Sequence, residues 1–313
     1  MLVSIDIIKA IACLLIVNFH CLYIYPDKIK FLSFGGDIGN NIFFFVSGFL
    51  LVSSINKTPL AKFWGWNKRR MIRILPLCVV FNSIIFLCGV KEKSIGSFFL
   101  TLVFPTAYWF TGAILLFYPL LFFLEKIKRK WILLFLVLIL LVSHVIFDSI
   151  HAERYIMGFV SMICGCELQI DSEETQKKRW NTTLLFAPLL FFLYAVLKVS
   201  YSRGLRLGGI THLAIGIVTI VFAAAVVKGL VREEEILKRL QNGRVHKCIV
   251  LVSKLTLPLY LCQQFVNTFF VEAFLVAPFP FSVLLYLLVV FVFALFTWRV
   301  GELLTGRLNR LLA

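Results

Sequence analysis

The feature that most constrains this chain is a succession of apolar runs, each near 20 residues, separated by short charged segments. About 20 apolar residues is the length an α-helix needs to cross the hydrocarbon core of a bilayer at 1.5 Å per residue. Scanned at that length, the 313-residue sequence predicts ten spans, at 4–24, 36–55, 74–91, 107–125, 131–149, 155–169, 182–199, 208–230, 247–270 and 281–303. The sixth is short and weak, and 95–106 reads as a re-entrant or interfacial piece stopped by Pro105. Backbone polar groups in hydrocarbon must be satisfied within the segment, so the predicted fold is an all-α bundle of about ten transmembrane helices. Composition agrees. The chain is 60% hydrophobic and 15% charged, against about 45–50% and 25% in soluble domains. Ten spans leave no room for a sizeable soluble domain, so residues 1–313 are expected to form a single transmembrane domain. No internal repeat is visible.

The net charge of +16 does not point to nucleic acid, because the basic residues lie in loops between apolar runs. Their distribution gives an orientation. With the N-terminus inside, 22 of the 32 Lys and Arg residues fall in cytoplasmic segments and 8 in outer ones, while Lys9 and Lys254 lie within spans. Both termini are therefore expected in the cytoplasm. The eight Cys are scattered through apolar runs without a CxxC, which predicts neither a disulfide framework nor a zinc site. The N-terminus has almost no basic leader and no evident cleavage site, so 4–24 reads as a retained span.

That first span, SIDIIKAIACLLIVNFHCL, carries Asp6, Lys9, Asn18 and His20. Ionisable residues in a span are costly, and they mark functional sites by default. Lys9 and His20 are eleven residues apart, which is about three helical turns plus 20° and about 16 Å of rise. They share nearly one stripe of the helix. Asp6, three residues before Lys9, is placed to pair with it. The plainer reading is a Lys snorkelling from a helix end and a His satisfied by packing. In the second span Asn41 and Ser47 are polar, and Ser47-Gly48 suits close helix approach. Arg69, Arg70 and Arg73 fall on one side of a helix before Pro76. Three guanidiniums there suit phosphate oxygens, each gripped by two donors, or else anionic lipid headgroups. Tyr108-Trp109-Phe110 opens the fourth span as a possible interfacial belt. His144 and Asp148, four apart, could pair in the fifth. The charged stretch 231–246 reads as a solvated helix or loop. In the ninth span Lys254, Pro258, Gln263 and Gln264 imply a face turned into the bundle.

Four stretches together resemble acyltransferase family 3, the integral-membrane acyltransferases of bacterial cell-surface glycans and some lipids. The family's D-x-x-R-x10-H pattern stands here as Asp6, Lys9 and His20, with Lys for Arg. Its FF-x-x-SGF element is Phe44-Phe45-Val46-Ser47-Gly48-Phe49, preceded by Asn41 where Asp is common. Its R-x-x-R-[IL]-x-P element is Arg70, Arg73, Ile74 and Pro76. Its YL-x-H element is Tyr260-Leu261-Cys262-Gln263, with Gln for His. The aromatic Tyr108-Trp109-Phe110 is similar too. The resemblance runs from residue 4 to about 265. It implies acyl transfer, most often of acetyl from acetyl-CoA to a hydroxyl of a surface or lipid-linked glycan, in a bacterial inner membrane and without metal. His20 becomes the main proton-transfer residue, since Gln263 cannot act as acid or base, and Lys9 and Asp6 support it. Arg69, Arg70 and Arg73 would hold the CoA phosphates. Asn41, Ser47, Trp109, Tyr260 and Gln263 would contact substrate or support the site. Two other readings fit a polar intramembrane stripe. One is a transporter of glycans or small solutes, although matching broken helices and a repeat are missing. The other is a lipid- or protein-directed membrane acyltransferase built around one intramembrane His.

Overall fold

A computed structural model describes residues 2–88, 96, 109–127, 150–175, 182–202, 209–241 and 243–311. Every helix predicted from an apolar run in these segments is present, and no strand occurs among the described residues. The principal helices are α1 (Val3–His20), α2 (Gly36–Asn56), α3 (Phe63–Leu87), α4 (Trp109–Ile127), α5 (Ile150–Thr175), α6 (Thr182–Ser202), α7 (Gly209–Arg232), the single turn α8 (Glu234–Leu237), α9 (Arg244–Lys254), α10 (Thr256–Leu275) and α11 (Phe281–Leu311).

Six stretches are long and apolar enough to cross a membrane: Val3–Tyr23, Asp27–Asn56, Leu60–Leu87, Trp109–Lys126, Thr211–Arg232 and Phe281–Arg310. A seventh is added if α9 and α10 are counted as one broken span. The expected count of ten is thus reduced among the described residues, for identifiable reasons. The run 131–149, with the His144–Asp148 pair, lies outside the described residues, as does nearly all of 95–106 and Tyr108. The run 155–169 sits inside α5, whose ends are charged. In α6 the part with described side chains, Phe186–Tyr201, is apolar but shorter than a full span. The ninth run is divided at Leu255. In an unbroken helix the Pro258 ring would meet the Lys254 carbonyl; in α10 it falls in the first turn, where no N–H is needed. Within 231–246, α8 and a 3₁₀ turn, Lys238–Leu240, follow the end of α7 and precede the start of α9.

The chain divides into two compact units. The first comprises Met1–Leu15, Gly35–Pro59 and Leu121–Ser253. Here α2 packs on α5 and α7, and α6 packs on α7. Backbones approach closely, as Ser47-Gly48 predicts: a Cβ on Gly48 would overlap the Met162 carbonyl oxygen, and one on Gly165 the Phe45 carbonyl. Small residues let van der Waals packing and cross-helix hydrogen bonds hold helices together in lipid. Gly35, which caps α2 with φ +101°, takes a conformation that L side chains rarely adopt, against Leu15. The second unit comprises Ile16–Phe34, Leu60–Leu120 and Lys254–Ala313. In it α10 and α3 both pack on α11 and on each other.

Candidate functional site

Helix α1 runs from Val3 to His20, so all three ionisable residues of the first span belong to one helix. Its N-terminus carries unpaired amides, as every helix start does. The Glu234 carboxylate, 230 residues further along, takes two of them: Oε1 accepts from the Val3 N–H at 2.8 Å and Oε2 from Ser4 at 2.9 Å. Burial pushes the Glu234 carboxyl up, but the hydrogen bonds from Ser4 and Val3 outweigh it, and the group rests below the ordinary carboxylate range. No sequence signal pointed to Glu234.

In the first unit, Asp6 is buried at 4% exposure. It does not form the direct ion pair with Lys9 that the spacing allowed. Its carboxylate accepts from the Ser253 hydroxyl at 2.7 Å. Lys9 is half-buried on the same face, within the field of Asp6. Asn41 is locked into a buried trio: its amide donates to Thr219 Oγ1 at 2.6 Å and its carbonyl accepts from Ser161 at 3.1 Å. Ser47 is half-buried on the same helix.

The second unit gathers the remaining candidates. His20 ends α1, half-buried, with its ring edge-on to Phe19 at 5.6 Å. Its carbonyl accepts from the Asn267 amide at 3.2 Å. Two residues earlier, Asn18 donates to the Leu32 and Phe34 carbonyls at 2.8 and 3.1 Å and accepts from Tyr25 at 3.0 Å. These bonds fasten the segment that follows α1 back against the helix end. On α10, the Tyr260 hydroxyl accepts from the Phe110 N–H at 3.3 Å, and the two rings lie 5.3 Å apart. Trp109 stands edge-on to Phe110 at 6.1 Å. The aromatic start of α4 and the YL-x-Q element, 150 residues apart, are thus in contact. Gln263 is fully buried, and neither its amide nitrogen nor its oxygen has a hydrogen-bond partner among the described residues. Asn82 on α3, 1% exposed, is in the same condition.

The basic element lies on α3, which begins at Phe63, eleven residues before the expected start. The arginines therefore belong to the span's own helix, not to a loop. Arg70 folds back, donating to the Trp66 carbonyl at 3.0 Å with its guanidinium 3.8 Å above the buried Trp66 ring. Arg69 and Arg73 are exposed. Sequence reasoning treated the three arginines alike; the structure makes Arg70 in part an anchor of its own helix. It also missed Ser253, Asn267 and Glu234, whose partners are too distant in the chain for any local pattern to show.

Apolar helices of spanning length that carry buried polar residues mark a multi-pass membrane protein. The acyltransferase-domain family model (acyltransferase family 3) matches residues 2–299, nearly the whole chain. The chain belongs to this family and is a membrane acyltransferase. No curated protein and no solved structure matches it significantly.

Proposed function

We propose that the protein moves an acyl group, most simply acetyl, from cytoplasmic acyl-CoA to a hydroxyl of a lipid-linked or cell-surface glycan in a bacterial inner membrane, with both termini cytoplasmic. The observation that supports this best is the Asn267–His20 bond. It ties the one intramembrane His of the described family pattern to α10, the helix that also carries Tyr260 and Gln263.

In this reading the exposed guanidiniums of Arg69 and Arg73 bind the donor's phosphates, with Arg70 helping from its seat on Trp66. Lys9 lies about 16 Å from His20 along α1, so it meets the donor's long arm and not the reacting carbonyl. Asp6, held by Ser253, keeps that face in register. A neutral His20 imidazole takes the proton of the acceptor hydroxyl as its oxygen attacks the thioester carbonyl. The C–S bond breaks, and the departing CoA sulfur takes the proton back from the imidazolium. Gln263 can hydrogen-bond a substrate oxygen but cannot move a proton. Asn41 and Ser47 support by packing α2, and Trp109 and Tyr260 shape the second unit.

The test is mass spectrometry of surface glycans from cells with the protein, without it, and with His20→Ala. A lost acyl mass in the last two supports the reading, and its size identifies the acyl group. Unchanged glycans in all three, together with altered lipid acylation, would move the acceptor to the lipid-directed alternative.

A further inference from the structure

A cavity of about 620 Å³ opens in the first unit among α2, α5, α6 and α7. Its walls are apolar, with Phe45, Leu189, Val221 and Ala225 among them. The mouth faces away from the protein: Phe186, Leu189 and Val221 are 57%, 61% and 46% exposed. Val221 and Ala225 belong to a candidate membrane span. An apolar cleft open at that depth meets lipid, not water. The volume falls in the range of pockets built for small ligands, about 300–1,000 Å³.

Among the described residues, two charged ones line the cavity, Glu167 and Lys228. The Asn41–Ser161–Thr219 trio sets their depth. Glu167 is six residues beyond Ser161 on α5, and Lys228 nine beyond Thr219 on α7. At 1.5 Å per residue these are about 9 and 13.5 Å toward the C-terminal ends of the two helices. Lys228 is one turn from Arg232, the end of its span. Both charges thus lie near the same membrane surface. Lys228 makes no ion pair among the described residues.

We propose that this cleft binds one acyl chain of a membrane aminophospholipid, with Lys228 on its phosphate and Glu167 on its ammonium. A purely anionic headgroup would be attracted by Lys228 but repelled by Glu167. A zwitterionic headgroup presents an anion and a cation together and matches both. A primary ammonium can donate hydrogen bonds to a carboxylate, and a quaternary one cannot. The proposal does not depend on which residues carry acyl transfer.

The full-length protein, purified in detergent, is titrated with dioleoyl phosphatidylethanolamine, phosphatidylcholine and phosphatidylglycerol, and bound lipid is read by native mass spectrometry. Phosphatidylethanolamine is expected to bind at least fivefold more tightly than the other two. Glu167→Gln removes that preference over phosphatidylglycerol. Lys228→Ala weakens all three. Val221→Trp, which fills the cleft from its exposed wall, excludes all three, and His20→Ala changes nothing. Equal binding of the three lipids overturns the proposal, as does binding unaffected by Val221→Trp. Displacement of phosphatidylethanolamine by a lower concentration of polyprenyl phosphate also overturns it, and assigns the cleft to a lipid carrier.

Discussion

At the scale of single residues, His20 carries the most consequence. His20→Ala removes a polar group from a membrane helix, so insertion survives, while acyl transfer in membranes at matched protein level is expected to fall about 10²–10⁴-fold, the usual worth of a general base. His20→Asn should fail equally, since an amide cannot take up the hydroxyl proton. Near-normal rates in either variant would make the His structural. Gln263 offers a second test. A buried amide without partners costs about 1–3 kcal/mol, and a fold retains such a group most readily where a substrate supplies the missing bonds. Gln263→Leu is therefore expected to raise thermal stability and lower acyl transfer together. A stabilised variant with full activity would show that the amide serves no substrate. The residue types of this site were legible in the sequence, because an ionisable group inside an apolar run is conspicuous. Their partners were not. Asp6 chose Ser253 over the neighbouring Lys9, because a hydroxyl brought in by another helix can satisfy a buried carboxylate without the cost of burying a second charge.

At the scale of the helix, α1 depends on a carboxylate from a different part of the chain. Glu234 sits in the polar turn after α7 and accepts from two of the four unpaired amides that begin α1. Its negative charge also faces the positive end of the helix dipole. Glu234→Ala is expected to cost about 1–3 kcal/mol in detergent thermal unfolding. Glu234→Gln should cost less, because its amide oxygen still accepts. The sign of the pH dependence follows from the lowered Glu234 carboxyl. Its contribution is fully present above the ordinary carboxylate value of 4.5 and is lost as pH falls through the still lower folded value. Wild-type and Glu234→Gln melting temperatures should therefore converge as the pH is taken below the ordinary carboxylate value and through the lower folded one; a gap that stays constant throughout the acid range would assign the carboxylate's charge no role. The sequence marked 231–246 only as charged and solvated. Periodicity describes which face of a helix is apolar, and it contains nothing about which distant side chain reaches a helix end. The same limit explains α3. Its first turns are too basic to score as a span, yet Trp66 and Arg70 stack to carry the helix back to Phe63.

At the scale of the whole molecule, the arrangement of charge about the membrane decides whether the donor chemistry can work. Acyl-CoA is too polar to cross a bilayer, so the face bearing Arg69 and Arg73 must be cytoplasmic if these residues bind it. The 22-to-8 division of basic residues predicts that this face is inward. Lys28, in the 3₁₀ turn Asp27–Leu32, and Lys68, in the first turns of α3, flank α2 (Gly36–Asn56) in the chain, so they should lie on opposite sides. Single-cysteine variants at these two positions, in a background whose exposed Cys88 and Cys248 are replaced, give the measurement. An impermeant maleimide added to intact spheroplasts should label position 28 and leave position 68 unlabelled until the membrane is opened. If position 68 labels from outside, the arginines face away from the CoA pool. The double variant Arg69→Ala/Arg73→Ala would then lose no donor affinity. With the expected orientation, that double variant should instead raise the KM for acetyl-CoA at least tenfold. Each charged hydrogen bond it removes is worth about 1.5–3 kcal/mol, and tenfold corresponds to about 1.4 kcal/mol. The amount of inserted protein should not change, because both side chains are exposed.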